Sequence, residues 1–313
     1  MLPAKRVMLL DSAGLYFRAF YGVPDTVSAP DGTPVNAVRG FTDMVSTLLT
    51  RYRPTDFVAC LDNDWRPAFR VALVPSYKAH RVARRSFGPE PDLEEVPDLL
   101  IPQVPVLLAV LKAAGLCSVG ADGFEADDVI ATLAQRYDNA GANVDVVSGD
   151  RDLIDVATER VRVLYIGKGI AKTIEFTPAE VQAEYSIPPA LYADFAILRG
   201  DPSDGLPGVA GIGVKTAAIV VSKFGTIEEI LAAAKDDDSP MSGPVRAKVL
   251  AAAGYLAVAP SVVRGRTDVP VPDLSTLIPA SPADPEMLAA IGEKFGIESA
   301  VGRLRVALQK VAG

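Results

Sequence analysis

The sequence predicts an α/β fold, in which a parallel β-sheet has helices on both faces and a helical region follows it. In the first half of the chain, apolar runs of strand length alternate with patterns of helix length, and this alternation is typical of parallel sheets. Three of the strand-like runs lead directly to an acidic residue, and after Phe176 the pattern is helical. We therefore expect an α/β domain at residues 1–176 and a helical region at 177–313.

The strands of the predicted sheet recur at regular intervals. One ends at Asp11, a second ends at Leu61, a third precedes Ser148, and a fourth covers residues 161–166. The helices expected between them cover residues 38–51, 104–114 and 125–140. Further along, Thr177, Pro178 and Glu180 form a strong helix start. Later helices are predicted at 189–198, 214–224, 227–234, 245–256 and 285–295.

Residues 77–99 interrupt the alternation of strand and helix patterns. They contain part of a basic stretch, since residues 66–85 include six Lys or Arg and no acid, and then Gly88, Pro89 and Pro91 before a run of acids. The segment has no apolar periodicity and is too long for a simple connection between strand and helix. A loop of this length in a compact domain is usually functional or disordered.

The composition is that of a globular protein rather than a membrane protein. No apolar stretch reaches the roughly 18 residues that span a bilayer, and the apolar run near the N-terminus stops at Asp11, unlike a signal peptide. Cys60 and Cys117 are expected to be reduced thiols, which predicts a cytoplasmic protein. The net charge of −8 hides local basic surfaces, and the distribution of charge matters more than its sum.

Nine carboxylates in five short clusters are the strongest functional signal. Side chains at the carboxyl ends of parallel strands converge on one crevice of the sheet. Like charges so close together need a counter-charge, and hard divalent cations such as Mg²⁺ supply it. The pattern therefore predicts a metal-dependent enzyme that acts on phosphate, with these candidate ligands: Asp11, Asp62, Glu125, Asp127, Asp128, Asp150, Asp152, Asp201 and Asp204.

Each cluster alone also has a purely structural explanation. Acids in the first turn of a helix are favoured by the helix dipole, which could account for part of the cluster at residues 125–128. Asp152 could cap a helix, and Asp201 could form an Asx turn. Five clusters, three of them at strand ends, are harder to explain in this way, and together they favour a shared site.

A glycine-rich segment at residues 208–216 forms a second candidate site. It differs from a P-loop because Val214 separates the last glycine from Lys215 and because no strand precedes it. We interpret it as a hairpin between helices, here called the glycine hairpin. Its amides and the start of the next helix would face a phosphate, with Lys215 beside it. A plain glycine-rich turn is the alternative.

Six motifs in order carry a family resemblance: Leu10-Asp11-Ser12, Leu61-Asp62, Ser76-Tyr77-Lys78-Ala79-His80-Arg81, Glu125-Ala126-Asp127-Asp128, Ser148-Gly149-Asp150-Arg151-Asp152 and Gly200-Asp201-Pro202-Ser203-Asp204. Together they resemble the 5′-nuclease family, the flap endonuclease and 5′→3′ exonuclease group that includes the N-terminal domain of bacterial DNA polymerase I. Two departures are Ser12, where the family often has Gly, and Leu61, where it usually has Phe. Neither change is expected to disturb the site.

The resemblance implies a PIN-like domain with a helical arch at about residues 77–99 and a helix–three-turn–helix region around the glycine hairpin. It implies hydrolysis of DNA at 5′ flaps, nicks and ends, in replication and repair, by a monomer. Two Mg²⁺ or Mn²⁺ ions about 4 Å apart would be bound, and binding of a third ion is the alternative. A K⁺ ion at the main chain of Val209 and Ile212 is also implied.

The resemblance also implies individual roles. Asp11, Asp62, Glu125 and Asp127 would surround the first ion; Asp150, Asp152 and Asp204 would surround the second; and Asp128 and Asp201 would contribute from further out. Asp127 and Asp150 would be catalytic together with Lys78 and Arg81, which would reach the scissile phosphate. Tyr77 would stack on an unpaired base, although packing is the alternative for Tyr77 and Arg70. The full set of expected DNA contacts is Arg18, Arg70, Tyr77, Lys78, Arg81, Gly208, Gly211, Gly213 and Lys215.

Three other functions remain open at this point. A PIN-type ribonuclease would share the same acids, but the basic segment and the glycine hairpin favour duplex DNA. A DNA-binding scaffold without metal would have to bury nine acids without ions, which is costly. A phosphatase for small molecules would leave the basic segment and the glycine hairpin without a purpose.

Overall fold

The computed structural model of this chain describes residues 5–84 and 92–312. Its strands are β1 (Arg6–Asp11), β2 (Asp56–Cys60), β3 (Val82–Arg84), β4 (Leu93–Glu94), β5 (Cys117–Val119), β6 (Asn143–Ser148), β7 (Val161–Tyr165) and β8 (Ile174–Phe176). One sheet has the order β5-β2-β1-β6-β7-β8, in which β8 at the edge runs antiparallel and the other neighbours are parallel. The expected sheet is therefore confirmed, whereas the three-residue strands β5 and β8 were too short to predict.

The described helices are α1 (Ser12–Gly22), α2 (Asn36–Tyr52), α3 (Ala68–Leu73), α4 (Gln103–Ala114), α5 (Ala126–Asn139), α6 (Pro178–Tyr185), α7 (Tyr192–Arg199), α8 (Val214–Phe224), α9 (Ile227–Lys235), α10 (Gly243–Ala251), α11 (Ala253–Leu256), α12 (Pro260–Val263), α13 (Pro285–Phe295) and α14 (Glu298–Ala312). The predicted helices are present with shifted ends, but the one expected at 245–256 is divided at Ala252. Helix α14 was missed, although Val301, Leu304 and Leu308 have helical spacing. Among the described helices, none is long and apolar enough to cross a membrane.

Helices cover both faces of the sheet, and the strands are apolar on both sides as a result. Met8 and Leu10 of β1 belong to a core that includes α2, α4, α13 and α14. Val7 and Leu9 belong to the opposite core, which includes α5 and helices α7 to α10. The last two helices thus return to pack on the first part of the chain. The domain boundary at residue 176 stays a prediction.

The described part of the segment expected to form the helical arch is a turn followed by a two-stranded ribbon. Ala79–Arg81 form a single 3₁₀ turn, and β3 pairs antiparallel with β4 to form a two-stranded ribbon. Residues 85–91 of the predicted arch lie outside the described residues. The return strand is anchored by Trp65, which donates a hydrogen bond to the carbonyl of Asp92 (2.8 Å), and by an ion pair between Arg66 and Asp92. These tertiary contacts favour the ribbon, and no local sequence pattern reveals them.

Candidate active site

The carboxyl ends of three neighbouring strands create a cavity of about 250 Å³, here called the acid cavity. Strand β1 ends at Asp11, β2 is soon followed by Asp62, and β6 is followed by Asp150. Because these strands are adjacent and parallel, the three acids emerge at one edge of the sheet. The charged lining consists of Asp11, Arg18, Asp62, Lys78, Arg81, Glu94, Glu125, Asp127 and Asp150. The structure thus brings together five of the nine predicted metal ligands and three of the predicted DNA contacts.

Asp11 is held by the elements on both sides of it. One carboxylate oxygen accepts a hydrogen bond from the Ser148 hydroxyl (2.7 Å), and the other accepts one from the Gly14 amide (3.0 Å), which caps α1. Burial raises the pKa of Asp11, while the bonds from Ser148 and Gly14 oppose that rise. Ser148 is therefore a site residue that was not singled out, although it lies within the motif that contains Asp150.

Asp62 and Asp127 face the same cavity and repel their neighbours. Asp62 accepts a hydrogen bond from the Ala126 amide (2.6 Å). Its side chain reaches solvent, but the concave wall crowds it, and this loss of solvation raises its pKa to about 7 while Lys78 opposes the rise. Burial also raises the pKa of Asp127 well above its usual range, and the charges of Asp11 and Asp150 add to the effect. A multivalent cation would relieve this repulsion.

The other two acids at the start of α5 belong to a buried ion network. Glu125 accepts hydrogen bonds from Arg70, from Lys78 and from the Tyr77 hydroxyl (2.8 Å). Asp128 is fully buried and accepts two bonds from Arg70, at 2.9 and 2.7 Å. It also completes a capping box with Glu125. Asp128 therefore neutralises Arg70 and caps α5, and its expected contribution to the metal site from further out stays a prediction.

Arg70 and Tyr77 lie in the interior rather than on the expected DNA surface. Their exposed fractions are 3% and 4%. The Arg70 guanidinium also donates to the carbonyl of Val262 (2.8 Å), and the Tyr77 hydroxyl is used by Glu125. Buried acids need internal counter-charges and donors, and these two residues supply them. In this conformation neither side chain can contact DNA, and the packing alternative describes both.

Lys78 and Arg81 stand at the rim of the acid cavity on a loop tied to the turn at Asp204. The Lys78 backbone adopts a left-handed conformation (φ 47°, ψ 21°), and its amide donates to the carbonyl of Asp204 (2.9 Å). Arg81 donates to the Asp204 carboxylate (3.0 Å) and to the Ser203 carbonyl (2.8 Å). Non-glycine residues with positive φ are uncommon and are often found at functional sites. The loop is thus held where both cations face the acids.

Asp152 and Asp204 line a second, smaller cavity that shares Asp127 and Glu125 with the first. Burial raises the pKa of Asp152 well above its usual range, with Asp150 and Asp204 adding to it. Asp155, which sequence reasoning missed, also lines this cavity, and burial raises its pKa to about 7.

Asp201 is not in the lining of either cavity. It accepts hydrogen bonds from the Ser203 amide (2.8 Å) and from Arg199 (3.2 Å). The Asx-turn alternative therefore describes it.

The donor set fits divalent metal ions in its chemistry, although the acids are spread out. In the described part of the chain, no three His, Cys, Asp or Glu side chains are arranged to hold one metal ion together. Glu125 is engaged by cations of the protein, whereas Asp127 is repelled by Asp11 and Asp150. All of the acids offer hard oxygen ligands, as Mg²⁺ and Mn²⁺ prefer. The residues therefore suit such ions, and binding would draw the carboxylates together.

The glycine hairpin turns sharply and leads into a helix start without a side-chain cap. Gly208 (φ 65°) packs against the backbone of Gly200, where a Cβ atom would lie 2.6 Å from the Gly200 nitrogen. Helix α8 then begins with Gly213 at the N-cap and no side-chain capping bond, and Lys215 in its first turn is exposed. The side chains of Val209 and Ile212 are buried, and the Val209 carbonyl accepts a bond from the Ile212 amide (2.9 Å).

Two family models match the chain in succession. The 5′-3′ exonuclease N-terminal resolvase-like domain matches residues 6–186, and the 5′-3′ exonuclease C-terminal SAM fold matches residues 187–286. Among solved structures, a bacteriophage T5 flap endonuclease in a pseudo-enzyme-product complex with DNA and metal ions has a TM-score of 0.65 at 16% identity, covering 98% of this chain and 99% of that one. The catalytic core of Rad2 in complex with DNA substrate has a TM-score of 0.61 at 14% identity, covering 98% and 93%. Both support the fold.

Curated relatives extend over nearly the whole chain. A 5′-3′ exonuclease of Mycobacterium tuberculosis (strain ATCC 25618 / H37Rv) is 50% identical over 317 aligned positions, which cover 98% of this chain and 99% of that protein. A 5′-3′ exonuclease of Streptomyces coelicolor (strain ATCC BAA-471 / A3(2) / M145) is 51% identical over 304 positions, covering 96% and 99%. The DNA polymerase I of the same Mycobacterium strain is 41% identical over 226 positions, covering 72% of this chain and 24% of that protein. The chain therefore belongs to the 5′-3′ exonuclease family.

Proposed function

We propose that this chain is a metal-dependent, structure-selective nuclease that hydrolyses DNA at 5′ flaps, nicks and 5′ ends in replication and repair. Relatives of the same length carry the name 5′-3′ exonuclease, and a structural neighbour is a flap endonuclease with DNA. The observation that carries the proposal is the acid cavity itself. Six carboxylates line this cavity of about 250 Å³ together with Arg18, Lys78 and Arg81. Phosphodiester hydrolysis needs carboxylates that bind metal ions and positively charged side chains that bind the phosphate, and this cavity contains both.

The acids divide into two groups for metal binding. Asp11, Asp62, Asp127 and Asp150 would hold ions in the acid cavity, while Asp152 and Asp204 would serve from the smaller one. Mg²⁺ or Mn²⁺ ions held by these residues would activate a water molecule and stabilise negative charge on the leaving oxygen. Glu125 would act indirectly, because its carboxylate positions the side chains of Lys78 and Arg70.

Lys78, Arg81 and Arg18 would position the scissile phosphate. The loop that bears Lys78 and Arg81 is tied to the turn at Asp204, so both charges are held in place before substrate arrives. Arg18 donates to the carbonyl of Gly167 (2.9 Å) and packs against Gly149, next to Asp150. Its Nε is buried without a hydrogen-bond partner among the described residues, so a phosphate contact would come from the terminal nitrogens of the guanidinium. Fixed positive charge of this kind stabilises the transition state most strongly where negative charge develops.

The glycine hairpin would bind the duplex next to the flap. Its exposed Lys215 and the uncapped start of α8 offer positive charge and free amides to one backbone phosphate. The predicted K⁺ at the main chain of Val209 and Ile212 stays a prediction. We place the active enzyme as a monomer in the cytoplasm, where the unpaired cysteines Cys60 and Cys117 would remain reduced.

A cleavage map tests this proposal. End-labelled flap, nicked and single-stranded DNA, together with an RNA flap of the same sequence, are incubated with Mg²⁺, with Mn²⁺ and with EDTA. We expect cuts near the flap junction and shortening from 5′ ends, which stop in EDTA. Faster cleavage of the RNA flap would favour the ribonuclease alternative. Binding without any cleavage in either metal would favour the scaffold.

A further inference from the structure

One carboxylate in the acid cavity comes neither from the ends of the parallel strands nor from the start of α5. Glu94 lies on β4, the return strand of the two-stranded ribbon, and its half-buried side chain lines the cavity together with Lys78 and Arg81. It belongs to none of the five acidic clusters from which the metal ligands are predicted. The metal site therefore does not explain why a sixth carboxylate stands here.

The ribbon fixes the position of Glu94. In the antiparallel pairing Glu94 lies opposite Val82, the residue that follows Arg81, and the Glu95 amide donates a hydrogen bond to the Arg81 carbonyl (2.8 Å). An ion pair and a hydrogen bond at Asp92 anchor the same strand two residues earlier. Backbone pairing thus holds the carboxylate at the cavity without the help of an ion pair of its own.

The positive charges that act on Glu94 are the two that would receive a phosphate. Loss of solvation raises the pKa of Glu94, while the charges of Arg81 and Lys78 oppose that rise. Lys78 forms its ion pair with Glu125, and Arg81 donates to the Asp204 carboxylate. In the part of the chain that the structure describes, neither cation pairs with Glu94. Its negative charge therefore acts on both cations while it occupies neither of them.

We infer that Glu94 competes with a DNA phosphate for Lys78 and Arg81, and thereby limits how tightly the acid cavity holds DNA. Carboxylates and phosphates accept hydrogen bonds from the same lysine and arginine donors, and like charges brought together at an interface weaken binding. The inference rests on the proposed function, because it assumes that these two cations receive a phosphate. Its consequence is that removal of the Glu94 charge strengthens DNA binding.

Fluorescence anisotropy with a labelled flap DNA in EDTA measures this effect. Glu94→Gln is compared with wild type and with Glu95→Gln, a matched control: Glu95 is the next residue, carries the same charge, is exposed and does not line the acid cavity. We expect Glu94→Gln to bind several-fold more tightly than wild type, and Glu95→Gln to stay within about twofold of it. In a Lys78→Ala background the gain from Glu94→Gln should shrink, since one of the two contested cations is gone.

A calorimetric titration with Mn²⁺ separates competition from metal binding. Glu94→Gln should bind Mn²⁺ as wild type does, and a clear loss of Mn²⁺ affinity would make Glu94 a metal ligand and overturn the inference. Equal flap affinities of Glu94→Gln and Glu95→Gln would also overturn it. So would an undiminished gain in the Lys78→Ala background, because the effect would then not pass through that cation.

Wild-type cleavage of flap DNA in Mg²⁺, measured alongside, reports on the proposed function separately. If wild type binds and cleaves the flap while the two glutamine variants bind alike, only the role of Glu94 fails. If wild type neither binds nor cleaves flap DNA, the proposed function fails and the inference fails with it.

Discussion

The acid cavity and the glycine hairpin treat charge in opposite ways. In the cavity, carboxylates lie close together, and buried cations neutralise part of their charge, since Arg70 and Lys78 both form ion pairs with Glu125. At the hairpin, Lys215 is exposed, and Lys248 donates a hydrogen bond to the Gly211 carbonyl and makes no ion pair within the described part of the chain. The cavity is therefore built for cations to enter, whereas the hairpin is built for an anion to approach. Changes in the first should alter the fold or the chemical step, and changes in the second should alter binding.

The two regions also depend on different parts of the chain. The cavity depends on parallel strands that end side by side, so its acids come from residues far apart in sequence. The hairpin depends on local backbone geometry, because Gly208 and Gly211 adopt left-handed conformations that side chains disfavour. A single substitution in the cavity therefore disturbs several elements at once, while one at the hairpin surface stays local.

The largest effect should come from Arg70→Met. This change leaves Glu125 and the fully buried Asp128 without their shared partner, and breaking a buried ion pair costs about 3–5 kcal/mol. Urea unfolding of the metal-free protein measures the loss. Arg303→Met, which removes an exposed ion pair with Asp43, is the control and should cost no more than about 1 kcal/mol. Equal losses in the two variants would show that the network around Asp128 is not structural.

Asp150→Asn should abolish the chemical step without harming binding. The substitution removes one charge from the acid cavity but keeps the shape of the side chain, so we expect single-turnover cleavage of flap DNA to fall by about 10³-fold. Flap affinity in EDTA should stay within about threefold. The exposed Asp273 provides the control Asp273→Asn, which should cleave at the wild-type rate. Unchanged turnover in Asp150→Asn would contradict the metal-site assignment.

The residues changed in these two variants also differ in how well the sequence predicts their positions. The acids at strand ends were predictable because parallel topology forces Asp11, Asp62 and Asp150 to one edge of the sheet. The resemblance set Asp127 nearer to the metal than Asp128, but the residues alone could not show the reason, since neighbours on a helix differ by about 100° in direction and only the packed structure shows that Asp128 meets Arg70. Arg70 and Tyr77 were expected at the DNA interface, with packing as the alternative, because no local pattern reports a buried acid as their partner.

Contacts over long separations in sequence were the least predictable. The motif that contains Lys78 was recognised, but its tie to the Asp204 turn joins segments more than a hundred residues apart. Lys248 lies in no motif, and its contact with Gly211 joins α10 to the hairpin. The ribbon of β3 and β4 replaced the expected helical arch in the described residues for the same reason, since Trp65 and Arg66 hold its return strand.

Lys78→Ala should separate chemistry from binding at the rim of the acid cavity. Lys78 provides a fixed positive charge beside the acids, and loss of one such group from a transition state costs about 100-fold in rate. We expect single-turnover cleavage to slow by about that factor, with a smaller change in flap affinity measured in EDTA. Ala83→Gly on the neighbouring ribbon is a control for loop disturbance. A larger loss of binding than of rate would make Lys78 an anchor instead.

The metal-free acid cavity should make stability depend on pH. Loss of solvation in the cavity raises the folded-state pKa of Asp11, Asp62 and Asp127, so the folded protein holds more protons than the unfolded chain between about pH 4 and pH 7. Stability should therefore fall as pH rises through this window. Melting temperatures in EDTA should drop by a few degrees from pH 5 to pH 7.5, and Mn²⁺ should reverse the drop. A melting temperature that does not change with pH would show that these acids do not cause the effect. An equally steep pH dependence in Asp62→Asn would show the same for Asp62.

The smallest effect should come from Lys215→Ala at the glycine hairpin. Lys215 is exposed and its removal leaves no buried charge, so the melting temperature should stay unchanged. Binding should weaken by only a few-fold, with the salt slope lowered by about one unit, and single-turnover cleavage at saturating enzyme should keep its rate. Anisotropy titrations across KCl concentrations and quenched-flow cleavage measure the two quantities. A slower chemical step at saturation would mean that the hairpin also aligns the scissile bond, and the separation between the two regions would then be incomplete.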